Sequence, residues 1–119
     1  MDIFINYLKK FFIKKEMNHE QELREIMFFY GFKTKTRLQE KIRELLYSTE
    51  PGEIIQREDS SILHDILKLH PQYKNHNASY FIVSIDSQYK TKHFSFCDRD
   101  TKHIIGISYL SCLKGCAMN

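Results

Sequence analysis

No stretch of this 119-residue sequence is apolar over the roughly 20 residues needed to cross a bilayer, and no secretory signal opens it. The three cysteines are an odd number, so reduced thiols are expected and a disulfide scaffold is not. Internal repeats and low-complexity tracts are absent as well. The net charge of +3 permits a nucleic-acid or lipid partner but does not demand one. The sequence therefore predicts a soluble intracellular protein with one main domain.

The titratable side chains do not form a recognisable catalytic set. His64 and His70 lie six positions apart on one predicted helix, so they do not share a face, and no paired carboxylate or positioned nucleophile accompanies them. Zinc is disfavoured because Cys112 and Cys116 are the only closely spaced cysteines and lack a partner pair. Cys97 is expected to point into the core of a sheet. We therefore predict no catalytic residue, no metal and no cofactor.

Residues 1–18 predict a basic amphipathic helix ahead of the main domain. If left unpacked, its aromatic stripe would be a sizeable exposed apolar patch, which soluble monomers seldom carry. We therefore expect the helix to pack on the domain's own surface or across a homodimer, and binding to an anionic membrane is the weaker alternative. The apolar positions are Ile3, Phe4, Tyr7, Leu8, Phe11 and Phe12, and the lysines are Lys9, Lys10, Lys14 and Lys15.

Residues 19–119 are predicted to form a single domain that begins with helices. The aromatic stretch 26–30, which ends at Gly31, suits either a strand or a helix. Thr36 and Gln39 have the spacing of a capping box and predict a helix start, while Asp59 or Ser60 is expected to cap the next helix. The apolar stripes of these two helices are Leu38, Ile42, Leu45 and Leu46, and Ile62, Leu63, Ile66 and Leu67, before Pro71 ends the second.

The periodicity changes from helical to extended near residue 79. Residues 80–85, 93–97 and 103–109 are rich in β-branched and aromatic residues, and short polar turns separate them. Short turns between successive strands indicate an antiparallel meander, so the predicted class is α+β, with N-terminal helices packed on a small antiparallel sheet. Gly106 inside the last strand predicts a bulge or a close backbone approach.

Two segments repeat a Lys-Thr-Lys pattern that suits nucleic acid. One surrounds a predicted helix N-terminus, which favours phosphate, and the other lies on a predicted turn beside aromatic residues on which bases can stack. The alternative is that both are ordinary solvated surface segments. The predicted nucleic-acid-binding residues, which include one arginine in the second turn, are Lys33, Lys35, Arg37, Tyr89, Lys90, Lys92, His93 and Arg99.

Over about residues 25–115 the chain resembles the DCL family (defective chloroplasts and leaves). The likeness rests on ordered motifs: a Thr-Lys helix start, a leucine-rich helix ending in His70-Pro71, an Arg99-Asp100 turn, and a strand with the pattern Ser108-Tyr109-x-x-Cys112. Plant members are linked to maturation of plastid ribosomal RNA, and a related domain lies in the tail of a plant-specific RNA polymerase subunit. The resemblance implies a non-catalytic domain that binds RNA or single-stranded DNA. The alternative is a module that docks on a transcription or RNA-processing complex.

Overall fold

The computed structural model describes residues 18–115. Within them, three helices precede a three-stranded antiparallel sheet of order β1-β2-β3, and a short helix follows it. The prediction of an α+β meander is confirmed. Residues 1–17 of the predicted basic helix, and Cys116, lie outside the described residues. No described helix has the length and apolar character needed to span a membrane. The elements are α1 His19–Tyr30, α2 Lys35–Ser48, α3 Arg57–Leu67, β1 Ala78–Ile85, β2 Lys92–Asp98, β3 Ile104–Ile107 and α4 Tyr109–Lys114.

The ambiguous stretch 26–30 is helical and forms the end of α1. Asn18 and Gln21 start this helix with a capping box, in which the Asn18 side chain accepts from the Gln21 amide at 2.9 Å. Gly31 ends it in the left-handed conformation, with φ of 79°. The apolar residues Leu23, Ile26, Met27 and Tyr30 recur at helical spacing and pack on the core. The helical period therefore prevails over the strand propensity of the aromatic residues.

Helices α2 and α3 begin earlier than predicted. Thr34 caps α2 by accepting from the Arg37 amide at 3.2 Å, so Thr36 lies inside the helix. Gln39 gives Thr36 the capping-box pattern, whereas Arg37 stands at that position relative to Thr34, so the sequence signal favours the wrong threonine. Helix α3 starts at Arg57, and the Ser60 hydroxyl donates to the Arg57 carbonyl at 3.0 Å instead of capping the helix.

One face of the sheet packs on the helices. Residues that pair across antiparallel strands share a face, and Phe81 pairs with Phe96 while Val83 pairs with Phe94. Strand β3 continues this face, because Ile107 pairs with Phe94. The helices contribute fully buried aliphatic side chains to the same core, among them Leu38, Ile42, Leu63, Ile66 and Leu113. The sheet therefore packs one face into the core that it shares with the helices, and the strand residues of its other face lie outside that cluster.

The Ser-Tyr-x-x-Cys segment is helical, and the predicted strand 103–109 is too long. Strand β3 ends at Ile107, and the Ser108 side chain caps α4 by accepting from the Ser111 amide at 3.3 Å. Tyr109 packs edge-on against Phe94, and Cys112 is fully buried. Tyr109, Cys112 and Leu113 have helical spacing, whereas a strand would have placed Tyr109 and Cys112 on opposite faces. The β-branched run upstream extended the prediction past the capping serine.

The two hairpin turns have the same pattern of hydrogen bonds. In the first, Asp86 accepts from the Tyr89 amide and the Lys90 amide donates to the Asp86 carbonyl at 2.8 Å. In the second, Asp98 accepts from the Thr101 amide and the Lys102 amide donates to the Asp98 carbonyl at 2.9 Å. Both lysines adopt positive φ, 58° for Lys90 and 65° for Lys102. Each end of the sheet thus carries a lysine at the tip of a tight turn.

Candidate nucleic-acid interface

The second face of the sheet, hereafter the open face, is amphipathic. Ile54 joins it through an isolated antiparallel bridge to Ile82, and Ile54 and Ile104 are 58% and 50% exposed. None of the strand residues of this face belongs to the core cluster that the helices join. The strand residues of the open face, assigned from the pairing register, are Tyr80, Ile82, Ser84, His93, Ser95, Cys97, Ile104 and Gly106.

Large side chains shield the small ones at the centre of the open face. The His93 ring lies across Gly106, where an added Cβ would come within 3.3 Å of it. Gly106 thus leaves room for a side chain rather than for another stretch of backbone, and the β2–β3 register shows no bulge there. Ser95 is buried and shares a 2.9 Å hydrogen bond with Ser84. Two rings of the open face, those of Tyr80 and His93, are partly exposed.

Cys97 is buried as predicted but lies on the open face rather than in the helix-packed core. It pairs with both Tyr80 and Ile104, whose side chains flank it. The Cys97 thiol donates to the Asp98 and Lys102 carbonyls, both at 3.8 Å. Its interaction with the neighbouring hydroxyl raises the pKa of Tyr80.

A cleft of about 500 Å³ adjoins the open face along the outer edge of β1. Tyr80 and Ile54 belong to both surfaces. Arg57, from the first turn of α3, and Arg99, from the β2–β3 turn, line the cleft together with His64. The described lining contains no carboxylate, and neither guanidinium forms an ion pair with another described residue. The cleft thus places positive charge directly beside the aromatic and aliphatic residues of the open face.

Asp98 organises the turn that carries Arg99. Its carboxylate accepts from the Thr101 amide and hydroxyl, both at 2.9 Å, and His76 Nδ1 lies 3.2 Å away. The hydrogen bonds from Thr101, followed by the one from His76, hold the pKa of Asp98 at about 2. This carboxylate is committed to the turn and is not a candidate acid or base.

We predict that the protein loses stability in two steps as the pH falls. Burial lowers the pKa of His64 and His70 below 6.5, and His70 Nδ1 accepts from the Gln72 amide, so both rings are neutral when folded. The unfolded chain binds more protons below pH 6.5, which lowers stability there. A second loss follows between about pH 4 and 2, where Asp98 is protonated only when unfolded. Calorimetric melting temperatures across this range test both steps.

The matched variant for the first step is His70→Asn, whose amide oxygen can accept from the Gln72 amide at any pH. It should show a smaller drop in melting temperature below pH 6.5 than the wild type. An unchanged melting temperature of the wild type between neutral pH and pH 5 would contradict the prediction for the histidines.

Lys92 is engaged within the fold. Its Nζ donates to the Tyr47 carbonyl at 3.3 Å and to the Thr49 carbonyl at 3.1 Å, at the C-terminus of α2. A cation there satisfies carbonyls that lack helical partners and opposes the helix dipole. Neutralising Lys92 would therefore change stability as well as surface charge. Its neighbours Tyr89 and Lys90 lie exposed at the first hairpin tip.

The two Lys-Thr-Lys segments do not come together. Lys33, Lys35 and Arg37 lie exposed at the start of α2, whereas Lys92 contacts its other end. The 14 residues of α2 separate the two by about 20 Å. Carboxylates Glu40 and Glu44 line the same shallow surface as Lys33 and Arg37. Of the predicted set, His93 lies on the open face at the start of β2 and Arg99 follows the other end of that strand, beside the cleft. The α2 cluster is a separate, mixed-charge surface.

The residues of the family motif have structural surroundings. The His70 ring is buried against Tyr73 and caps the turn after Pro71 through Gln72, rather than the carbonyls that end α3. Burial raises the pKa of the Cys112 thiol to about 12, which keeps it protonated. The Cys112 carbonyl accepts from His19 Nε2 at 2.9 Å and joins α4 to α1.

The candidate residues predicted from the sequence do not include Arg57 and Tyr80. Arg57 begins a helix far from Arg99 in the sequence, and only the packing of α3 beside β1 brings the two to one cleft. A signal existed for Tyr80, since strand alternation places it opposite the core residues Phe81 and Val83.

Within residues 18–115 no group of three or more His, Cys, Asp or Glu side chains could hold a metal ion. Comparisons with protein-family models, curated proteins and solved structures found no match. The resemblance to the DCL family stays a prediction, and the function has to be argued from the open face and the cleft themselves.

Proposed function

We propose that this protein is a non-catalytic binder of single-stranded nucleic acid, RNA or DNA, that uses the open face and the adjoining cleft. The observation that carries the proposal is the position of Tyr80. It belongs both to the open face and to a cleft lined by Arg57 and Arg99, whose described lining has no carboxylate. Stacking surface and phosphate-binding charge therefore meet at one residue.

The bases and the phosphates of a single strand bind to different kinds of side chain. Bases stack on aromatic rings whatever their sequence, and Tyr80 and His93 are the partly exposed rings of the open face. Guanidinium groups bind phosphates in a bidentate manner. Arg57 and Arg99 form no ion pair with a described residue, so their guanidinium groups are available for phosphates. Lys102 adds a further cation at the same end of the sheet. A duplex hides its bases, so we expect weaker binding to duplex than to single strands.

The resemblance to the DCL family also supports nucleic-acid binding, because it implies an association with RNA processing or transcription. It adds no reaction. The buried thiol of Cys112 and the committed carboxylate of Asp98 are poor candidates for chemistry, which agrees with a binding role.

A protein-docking module is the second candidate, and one observation favours it. Strand β3 is an edge of the sheet, and no described strand pairs with its outer side. Edge strands offer unpaired backbone groups to which a partner strand can add. A partner bound in this way would stay bound after nuclease treatment, whereas an RNA-mediated association would not.

The proposal is tested by fluorescence anisotropy with a labelled single-stranded oligonucleotide of about 12 nucleotides, within the site sizes typical of such domains. The double variant Arg57→Gln, Arg99→Gln should bind more weakly, with a flatter dependence of affinity on salt. Two lost phosphate contacts reduce the slope of log K against log salt by about 1.4. The matched control is Arg24→Gln, Arg43→Gln, which removes the same charge from exposed positions on α1 and α2.

We expect the control to lose only the small long-range effect of net charge and to keep the wild-type slope. Equal slopes in the two double variants would contradict the cleft as a phosphate site. Equal affinity of the wild type for duplex and single strands would contradict the stacking role of the open face.

A further inference from the structure

We propose that residues 1–17 dock on a groove of this same chain, beside α1, and that Phe28 and Phe29 are their main contacts. This inference is independent of nucleic-acid binding. The groove lies between α1 and the end of α3 and encloses about 750 Å³. Phe28 and Phe29 are 89% and 78% exposed, the highest values among the large apolar side chains of the described residues. Neighbouring aromatic rings this exposed mark a docking surface.

The position of residues 1–17 in the chain brings them to this groove. They end directly before Asn18, the N-cap of α1. A short reversal at that point would lay the segment antiparallel to α1, the arrangement of an αα-hairpin. A helix of 14 residues would be about 21 Å long and the 12 residues of α1 span about 18 Å. The lengths match, so a segment in this arrangement would reach Phe28 and Phe29 near the end of α1.

The pattern of the segment suits the groove. Its aromatic and aliphatic residues recur at helical spacing, and as an apolar stripe they would cover the two exposed phenylalanines. The polar rim of the groove carries three carboxylates, Glu22, Glu25 and Asp65, against two cations, Arg24 and Lys68. Arg24 is already paired with Glu20 at 3.9 Å. The segment contributes the opposite charge through Lys9, Lys10, Lys14 and Lys15.

A second copy of the chain is a poorer occupant of the same groove. In an isologous contact the same patch lies on both sides, so the acidic rim formed by Glu22, Glu25 and Asp65 would meet a second copy of itself. Like charges placed together in this way oppose association. The lysine-rich segment, tethered within reach, has the complementary charge and a high effective concentration.

The test uses the full chain, which has no tryptophan. In Leu8→Trp the single indole reports on its surroundings, and we expect emission at the short wavelengths of a buried indole, unchanged on dilution, from a monomer by light scattering. Adding Phe28→Ser and Phe29→Ser should shift the emission to the red. The matched control, Tyr47→Ser with Tyr89→Ser, removes two other exposed rings and should not. Phe11→Trp repeats the measurement at a second position.

Red emission from both tryptophan variants of the full chain would overturn the inference. So would an emission that turns red on dilution together with a dimeric mass, because the groove would then hold a second copy. Equal effects of the Phe28/Phe29 and Tyr47/Tyr89 pairs would also overturn it. Circular dichroism of each variant confirms that the α+β core is folded.

Discussion

Replacing Phe96 by alanine is expected to lower the free energy of unfolding by about 3–5 kcal/mol. Phe96 lies on the central strand, is fully buried, and pairs with Phe81. Its ring contacts those of Tyr73 and His76, with centroids 6.1 and 5.8 Å away. Alanine would leave a cavity between sheet and helices that neighbours anchored in β1 and β2 cannot fill. Domains of this size have about 5–15 kcal/mol of stability, so the loss is a large share of the total.

Urea denaturation measures this loss as a fall in the midpoint at constant slope. The control is Tyr89→Ala, which truncates an exposed ring at a hairpin tip and should change stability by no more than about 0.5 kcal/mol. If Phe96→Ala is too unstable to purify, Phe96→Leu keeps most of the apolar volume and should cost on the order of 1 kcal/mol. Equal midpoints for the Phe96 and Tyr89 variants would contradict the assignment of Phe96 to the centre of the core.

The fold class was predictable because local signals agreed with one another. Helical spacing of Leu38, Ile42 and Leu45 fixed α2, and short turns starting at Asp86 and Asp98 fixed the meander. The errors arose where two local signals competed. Thr36 has the capping-box pattern with Gln39 although Thr34 is the cap, and the β-branched run before Ser108 suggested a strand where a helix begins. Such choices depend on which side chains reach the core, and the sequence does not state this directly.

The candidate site was harder to predict than the fold, for a physical reason. A run such as Lys90-Thr91-Lys92 looks uniform, yet the structure gives its two lysines different surroundings. Lys90 is exposed in a turn, while Lys92 donates to the carbonyls that end α2. The reverse holds for Arg57 and Arg99, which are distant in sequence and meet in one cleft. Charge patterns identify candidate cations, but tertiary packing decides which of them remain available.

Replacing Tyr80 by alanine is expected to weaken single-strand binding about 5- to 150-fold, corresponding to about 1–3 kcal/mol for one stacked base. The physical reason is that Tyr80 supplies the ring between the open face and the arginine cleft. Because stacking involves no counterion release, the slope of affinity against salt should keep its wild-type value. This outcome separates the role of Tyr80 from that of Arg57 and Arg99, whose replacement flattens the slope.

Two controls sharpen the measurement. Tyr80→Phe keeps the ring and removes only the hydroxyl, so it should bind nearly as well as the wild type. Tyr89→Ala removes a more exposed ring at the hairpin tip, away from the open face, and should have a smaller effect. If Tyr89→Ala proves the more damaging of the two, the hairpin tip, with Lys90, is the binding surface. If Tyr80→Ala remains folded and binds as the wild type does, the open face does not stack bases. Its partly exposed rings and isoleucines would then favour the second candidate function, docking of a protein partner.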